Sequence, residues 1–309
     1  MLGRVMRSQS GFFTVLLEDT RVVTCGMRGK LKRGPKSEDL VAMGDRVRVT
    51  LLTANTGVIE EVLKRNRALI RLAPSARGEY KQILLANPDQ MLLVFACANP
   101  NPHLRMLDRF LVICEKQGIV PVIVANKVDL VGLERAKEMF AMYPPLGYQL
   151  IFSSAKGHIG IDALRDVLTG KLSGLAGPSG VGKSSLLNAV QPELGLAVSN
   201  ISEFTQKGRH TTVVRELFPL DGGGYVADLP GLRMLALWDT EPEELDGYFP
   251  ELRDLVRECA FNDCTHQNEP GCAVRQAVQT GKVHPERYLS YLRMRFGEPE
   301  EPDEQVSPE

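Results

Sequence analysis

Gly177-Pro178-Ser179-Gly180-Val181-Gly182-Lys183-Ser184 matches the phosphate-binding pattern G-x-x-x-x-G-K-[ST] without deviation. Residues 172–176 before it predict a short strand, and residues 185–190 after it predict a helix. Glycines let the backbone wrap around phosphates and point its N–H groups inward, and the helix N-terminus adds its positive end. We expect Lys183 to reach the β- and γ-phosphate oxygens, Ser184 to ligate Mg²⁺, and Ser185 to belong to the same nucleotide site.

Two further motifs follow predicted buried strands and concern the base. Asn126-Lys127-Val128-Asp129 resembles the N-K-x-D element of GTPases, and Ser154-Ala155-Lys156 resembles their S-A-K element. The carboxylate of Asp129 can accept from the N1–H and the amine of guanine, two donors that adenine lacks in that arrangement. The Ala155 N–H is expected to meet guanine O6, and Lys127 to lay its stem along the ring. Asn126 has two open roles: to bond the base or to brace the neighbouring loops.

A third element predicts the magnesium side of the site. Asp228-Leu229-Pro230-Gly231 follows the strand-like residues 225–227 and fits D-x-x-G. Asp228 is expected to reach Mg²⁺, and the N–H of Gly231 to sense the γ-phosphate. Between this element and the phosphate loop stands Gly208-Arg209-His210-Thr211-Thr212, where we favour Thr212 over Thr211 as a further magnesium ligand.

The order of these motifs is permuted. The base-side elements at 126 and 154 precede the phosphate loop at 177 and the D-x-x-G element at 228, whereas ordinary GTPases begin with the phosphate loop. The same sheet can still form if the usual termini are joined and the chain is opened after the second switch, which contains the D-x-x-G element. The sequence therefore predicts a circularly permuted GTPase domain.

The N-terminal segment has a different texture. Short alternating apolar runs at 13–17, 47–51 and 58–62 predict a small β-barrel of the OB type. Residues 1–72 hold 14 basic and 7 acidic residues, a balance that suits single-stranded or structured RNA or simply forms a solvated basic face. Residues 73–88, with Pro74, Gly78 and Pro88, are interpreted as a linker.

A metal site is predicted near the C-terminus. Cys259, Cys264, His266 and Cys272 form C-x4-C-x-H-x5-C, a set that suits one structural Zn²⁺. The alternative is a small cysteine-containing core with a surface histidine. Arg287, Arg293 and Arg295 lie at helical spacing beside two tyrosines, which indicates either an RNA contact or a solvated helix face.

Composition limits the class of protein. The chain has 309 residues, 43% hydrophobic and 24% charged, with a net charge of −1, as in ordinary multidomain globular proteins. It shows no apolar run long enough for a membrane span and no signal-peptide pattern, and its six cysteines are too sparse for a disulfide scaffold. We therefore expect a cytoplasmic α/β protein: an OB-type barrel (1–72), a linker (73–88), a circularly permuted P-loop GTPase domain (89–240), a zinc-binding helical module (241–296) and a disordered acidic tail (297–309).

These motifs and their order together resemble the bacterial small-ribosomal-subunit-dependent GTPase family. The resemblance covers nearly the whole chain except the acidic tail. It implies a GTPase that binds the small ribosomal subunit and its rRNA in late assembly, is stimulated by that subunit and helps to release other assembly factors. It also implicates the switch histidine, His210, in catalysis. Leu232 stands after Gly231, where many GTPases carry a water-orienting glutamine.

Two other functions remain in competition. One is an RNA- or protein-binding module that senses GTP and hydrolyses it only incidentally. The other is a P-loop kinase or ATPase, which the guanine elements disfavour because an adenine pocket gains nothing from Asp129. We also expect the protein to act as a monomer without a membrane partner.

Overall fold

The computed structural model describes residues 1–9, 11–29, 38–75, 78–196, 216–229 and 240–297. The N-terminal strands are β1 Leu2–Gln9, β2 Phe12–Leu17, β3 Val22–Met27, β4 Arg46–Leu51 and β5 Thr56–Val62. They form a closed barrel in the order β1-β2-β3-β5-β4, in which β4 pairs antiparallel with β1. The predicted OB-type barrel is confirmed.

Apolar side chains at alternate positions of each strand fill the interior of the barrel. In β4, Val47 and Val49 are buried, whereas Arg46 and Arg48, which alternate with them, are exposed. Strands of period two place alternate side chains on opposite faces, so one face supplies the core and the other carries the charge. The barrel core is completed by apolar residues from the other strands and one loop: Val5, Phe13, Val15, Leu17, Val23, Cys25, Val41 and Ile59.

The interpretation of residues 73–88 as a linker is wrong. Strands β6 Ala68–Ser75 and β7 Gly78–Ala86 pair antiparallel as a two-stranded hairpin. The carboxylate of Asp39 anchors β7, because it accepts from the Ile83 N–H at 2.8 Å and from the Tyr80 hydroxyl at 2.7 Å. The turn-forming residues that suggested a linker stand near strand ends, where they do not interrupt the pairing.

The second sheet is the predicted α/β sheet. Its strands are β8 Gln90–Ala96, β9 Val120–Asn126, β10 Gln149–Phe152, β11 Leu172–Ala176, β12 Leu217–Pro219 and β13 Tyr225–Asp228. They lie in the order β10-β9-β8-β11-β13-β12, with every neighbouring pair parallel except β12 and β13. The strands that precede the predicted motifs, β9, β10, β11 and β13, are therefore parallel members of one sheet, and their carboxyl ends share one edge.

The helices are α1 Leu104–Gln117, α2 Leu133–Met139, α3 Ile161–Leu168, α4 Lys183–Val190, α5 Pro250–Arg253, α6 Ala273–Gln279 and α7 Pro285–Phe296. Apolar residues of α3 and α4, among them Leu164 and Leu187, pack with those of β8, β9 and β11 in one core on one face of the sheet. No helix in the described ranges is both long and apolar enough to cross a bilayer.

The chain divides into two compact units. One contains the barrel, the hairpin and the six-stranded sheet with α2, α3 and α4. The other contains residues 104–115 of α1 together with the described residues from Thr240 to Gly297. Thus most of α1, which lies between β8 and β9 in the chain, packs with the C-terminal helices.

Candidate nucleotide and metal sites

The phosphate loop joins β11 to α4 and requires glycine at two points. Gly177 has φ +150°, and a Cβ there would lie 2.1 Å from the Val94 carbonyl oxygen. Gly182 has φ +93°, and a Cβ there would lie 2.7 Å from the side-chain nitrogen of Asn126. Lys183 bridges the loop, since its Nζ donates to the carbonyls of Gly177 and Pro178 at 3.0 Å each. The loop is therefore held in a closed curve around the lysine.

Asn126 connects the base-side motif to this loop. Its side chain is buried, and its Nδ2 donates to the Val181 carbonyl at 2.7 Å. Its Oδ1 accepts from the Ser153 hydroxyl at 3.2 Å. Of the two roles considered for Asn126, the geometry shows the bracing one.

Asp129 lies in a 3₁₀ turn, Val128–Leu130, directly after β9. The Ser154 hydroxyl donates to its Oδ1 and in turn accepts from the Gly157 N–H at 2.8 Å. The S-A-K element thus fixes the carboxylate of the N-K-x-D element. One carboxylate oxygen is used in this way, and a carboxylate retains further acceptor sites for a base.

Lys127 adopts a left-handed conformation, with φ +61°. Its Nζ donates to the carbonyl of Asn99, which lies in the loop after β8. Burial lowers the pKa of Lys127, and the nearby Asp129 opposes that shift. In the S-A-K element, Ala155 is half-buried against the core of the sheet and Lys156 is exposed.

Asp228 ends β13 next to the phosphate-loop strand, in register with Leu175 of β11. Its Oδ1 is buried and has no hydrogen-bond partner in the described ranges. Burial raises the pKa of Asp228, whereas the charge of Lys183 lowers it. A buried carboxylate oxygen of this kind beside a phosphate loop fits a hard cation such as Mg²⁺. Gly231, His210 and Thr212 lie outside the described residues.

The four predicted metal ligands are brought together. The donor atoms of Cys259, Cys264, His266 and Cys272 all lie within 4.8 Å of one another. His266 Nδ1 is 3.6 Å from Cys259 Sγ and 3.4 Å from Cys272 Sγ. Tetrahedral zinc with ordinary Zn–S and Zn–N bonds separates such atoms by about 3.5 Å. The arrangement is therefore compatible with a zinc site, and the histidine is buried rather than on the surface.

Two arginines of α7 lie in the interior and do not form an exposed surface. Arg287 is 1% exposed and forms ion pairs with Asp108 of α1 at 2.7 Å and with Glu251 of α5 at 2.6 Å. Arg295 is buried and donates to the Tyr291 hydroxyl at 2.7 Å. For these two residues both interpretations, an RNA contact and a solvated face, are wrong because both side chains are buried and pair with acids distant in the sequence.

Two family models match the chain. The model described as RsgA GTPase matches residues 62–238, and the model described as RsgA N-terminal domain matches residues 2–59. The chain belongs to the RsgA GTPase family. As a member of the RsgA family it is a GTP-hydrolysing enzyme, and the kinase or ATPase alternative is set aside.

Individual RsgA relatives match along almost their whole length. The protein named small ribosomal subunit biogenesis GTPase RsgA from Gemmatimonas aurantiaca is 45% identical over 296 residues, covering 95% of this chain and 96% of the relative. The crystal structure of YjeQ from Thermotoga maritima gives a TM-score of 0.78 at 38% identity, covering 96% of this chain and 97% of that one. YloQ, described as a circularly permuted GTPase, gives 0.70 at 32% identity, covering 97% and 96%. The predicted permuted order is confirmed.

Sequence reasoning missed three residues that support these RsgA-family sites. Ser153 holds the amide of Asn126, the Asn99 carbonyl holds Lys127, and Asp246 faces His266. Ser153 stands beside the S-A-K element and could have been suspected from its position. The other two have no sequence signal, because each lies 20 or more residues from its partner.

Proposed function

We propose that this GTPase binds the small ribosomal subunit and its rRNA, assists a late step of subunit maturation and hydrolyses GTP to GDP and phosphate with stimulation by the subunit. The proposal is supported by relatives named small ribosomal subunit biogenesis GTPase, which align with 94–95% of the chain. A partner of that kind implies action in the cytoplasm, alongside other assembly factors. We further propose that the protein acts as a monomer.

The observation that carries the enzymatic part is the hydrogen bond from Asn126 to Val181, because it joins a base-side motif to a phosphate loop in one site. We assign GTP to this site. Its phosphates would meet the N–H groups of the loop, Lys183 and Ser185, and its base would meet Asp129 and Ala155. The other residues that we assign to the nucleotide site would line it: Lys127, Val128, Ser154, Lys156, Gly177, Pro178, Ser179, Gly180, Val181 and Gly182.

We assign Mg²⁺ to Ser184, Asp228 and Thr212, with the N–H of Gly231 on the γ-phosphate. The buried, unpartnered oxygen of Asp228 supports this assignment. When bound, Mg²⁺ neutralises part of the charge on the phosphates. Until then, Lys183 is the charge that offsets the carboxylate of Asp228.

Hydrolysis needs a group that orients water in line with the γ-phosphate. Leu232, which follows Gly231, has no polar atom for that task. We assign the task to His210, since a neutral imidazole nitrogen can accept a hydrogen bond from water. Because Leu232 stands where many GTPases carry the water-orienting glutamine, we expect slow turnover by the protein alone and faster turnover on the subunit.

We assign rRNA binding to the barrel. Arg46 and Lys64 are exposed on it and form no ion pair with an acid among the residues that the structure describes, whereas Arg28 and Arg48 are paired with Glu60 and Glu61. A surface of this kind binds phosphate backbone with an affinity that falls as salt rises. We assign one structural Zn²⁺ to the four clustered ligands of the other unit, where a closed set leaves no open position for catalysis.

Steady-state GTP hydrolysis, measured with and without purified small subunits, tests the proposal. We expect strong stimulation by small subunits and little by large subunits, and we expect His210→Ala to lose the stimulation while retaining GTP binding. Lys183→Ala serves as the control without nucleotide binding. Intact GTP binding with no stimulation by small subunits would contradict the proposal and favour a GTP-sensing binding module.

A further inference from the structure

A buried carboxylate lies directly behind the clustered metal ligands. Asp246 belongs to the 3₁₀ helix Pro242–Tyr248, and its Oδ2 lies 3.3 Å from Nε2 of His266. The side chain of His266 is fully buried and that of Asp246 is 13% exposed. A buried imidazole N–H must find an acceptor, because an unsatisfied donor costs about 1–3 kcal/mol.

The direction of this hydrogen bond follows from the other ring nitrogen. Nδ1 of His266 faces the sulfur atoms of Cys259 and Cys272, at 3.6 and 3.4 Å. A metal among these ligands binds the lone pair of Nδ1, so the ring proton must stand on Nε2. Nε2 then donates to Asp246, which fixes both the tautomer and the orientation of the ring.

The surroundings hold this pair from several sides. Arg295 Nη1 lies 3.8 Å from Asp246 Oδ2 and offsets its charge. Tyr288 donates to the carbonyl of His266 at 2.5 Å, which fixes a residue whose φ is +64°. The ring of Tyr291 lies 5.8 Å from that of His266, centroid to centroid.

We propose that Asp246 is a positioning residue for the metal: it accepts the Nε2 proton of His266 and so presents Nδ1 as a ligand. The inference rests on the zinc site proposed above. Partners of ligating histidines typically contribute 10- to 100-fold to metal affinity. The four ligands alone would therefore bind the ion more weakly than the full arrangement does.

Zinc affinity measured by chelator competition on the full chain tests the inference. We expect Asp246→Ala to weaken zinc binding about 10- to 100-fold. Asp246→Asn, which keeps the volume and one acceptor oxygen, should give a smaller loss and guards against misfolding. Asp254→Asn makes the same chemical change at an exposed position of the same unit and should leave the affinity unchanged.

A second measurement distinguishes positioning of the His266 ring by Asp246 from a general stabilising effect of Asp246 on the fold. In zinc-loaded protein with ¹⁵N-labelled histidine, the Nε2 proton of His266 should be visible in the wild type and should exchange rapidly in Asp246→Ala. Asp254→Asn, which changes an exposed carboxylate of the same unit, should leave that proton protected. Affinities within twofold of wild type for both Asp246 variants, or zinc bound through Nε2, would overturn the inference. Wild-type protein without zinc would instead overturn the zinc assignment itself, and the inference with it.

Discussion

The side-chain amide of Asn126 donates a 2.7 Å hydrogen bond to the backbone carbonyl of Val181, although 55 residues separate them in the chain. The same amide nitrogen would collide with any Cβ at position 182. The base-side motif and the phosphate loop therefore touch before any nucleotide arrives. A change in either one must displace the other.

Asn126→Ala is expected to weaken the binding of GTP and GDP to a similar extent. It leaves the buried carbonyl of Val181 without its donor, which costs about 1–3 kcal/mol of stability and releases the phosphate loop that both nucleotides would share. Titration with a fluorescent GDP and a fluorescent GTP measures both. Gln82→Ala, which also removes an amide hydrogen bond, but on the hairpin β6–β7, is the control. A loss confined to GTP would contradict the bracing role.

Asp129→Asn is expected to change the preferred base. On the proposed assignment the carboxylate would accept from two guanine donors, whereas an amide could donate to the second carbonyl of xanthine. We expect GTP affinity to fall roughly 10- to 100-fold, since hydrogen bonds to charged groups contribute about 1.5–3 kcal/mol, and xanthosine triphosphate to be favoured. Competition binding with GTP, xanthosine triphosphate and ATP measures this. Asp162→Asn, on the exposed side of α3, should change nothing. Unchanged selectivity would argue against guanine at Asp129.

Asp228→Asn is expected to stabilise the free protein while weakening Mg²⁺-dependent GTP binding. Burial raises the pKa of Asp228, so the folded state disfavours its ionised form, and stability is lost as the pH rises through that pKa. The gain in Tm of the variant over the wild type should thus be near zero at about pH 4, increase as the pH rises, and level off above the pKa of Asp228 in the folded protein. Thermal unfolding without nucleotide measures it. A gain that shrinks with rising pH would contradict the assignment.

Arg287→Met is expected to destabilise the C-terminal unit by about 3–5 kcal/mol, because it leaves the buried Asp108 and Glu251 without their cation. Arg253→Met is a matched control. Its ion pair with Glu115 also reaches α1 but is half-exposed, and such pairs contribute about 0–1 kcal/mol. Urea unfolding of both variants gives the comparison. Equal losses of unfolding free energy would contradict the expectation that the buried ion pairs of Arg287 contribute more than the half-exposed pair of Arg253.

Thiol titration is expected to divide the six cysteines into two groups. Burial raises the pKa of Cys25 and of Cys97 to about 11, with Asp129 adding to the second shift, and burial also raises the pKa of Cys114. Reactivity requires the thiolate, so these three should stay silent at neutral pH. A disulfide reagent should find almost no thiols in zinc-loaded protein, the three proposed zinc ligands once chelation opens the segment that buries them, and all six after denaturation. Early reaction of Cys97 would contradict its burial.

The sequence predicts those parts of the fold and site that depend on local pattern. The apolar period of α1 gives its bounds, Leu104–Gln117, and the run before Asn126 gives a strand buried on both faces. Because parallel strands end at one edge, motifs scattered over about a hundred residues could be assigned to one site before any contact was known. The four metal ligands were predictable for a similar reason, since their chemistry limits their partners.

The remainder depends on contacts that no local pattern encodes. Arg287 and Asp108 are 179 residues apart, so the helical spacing of the arginine indicated a surface where the folded chain has an interior. The hairpin of β6 and β7 was missed because proline and glycine mark strand ends as readily as linkers. Its buried residues, Leu84 and Leu85, are typical of a strand, but the proline and glycine were given more weight.

The pairing of Asp108 with Arg287 also sets an order of events during translation. Helix α1 leaves the ribosome long before α7, and at about 5–20 residues per second the arginine follows roughly 10–35 s after the aspartate. Throughout that interval the carboxylate of Asp108 lacks this arginine, so α1 cannot complete its packing until α7 has emerged. A stop codon shortly before Pro285 would remove the arginine altogether. A truncation near the C-terminus would thus destabilise the packing of α1, far from it in the sequence.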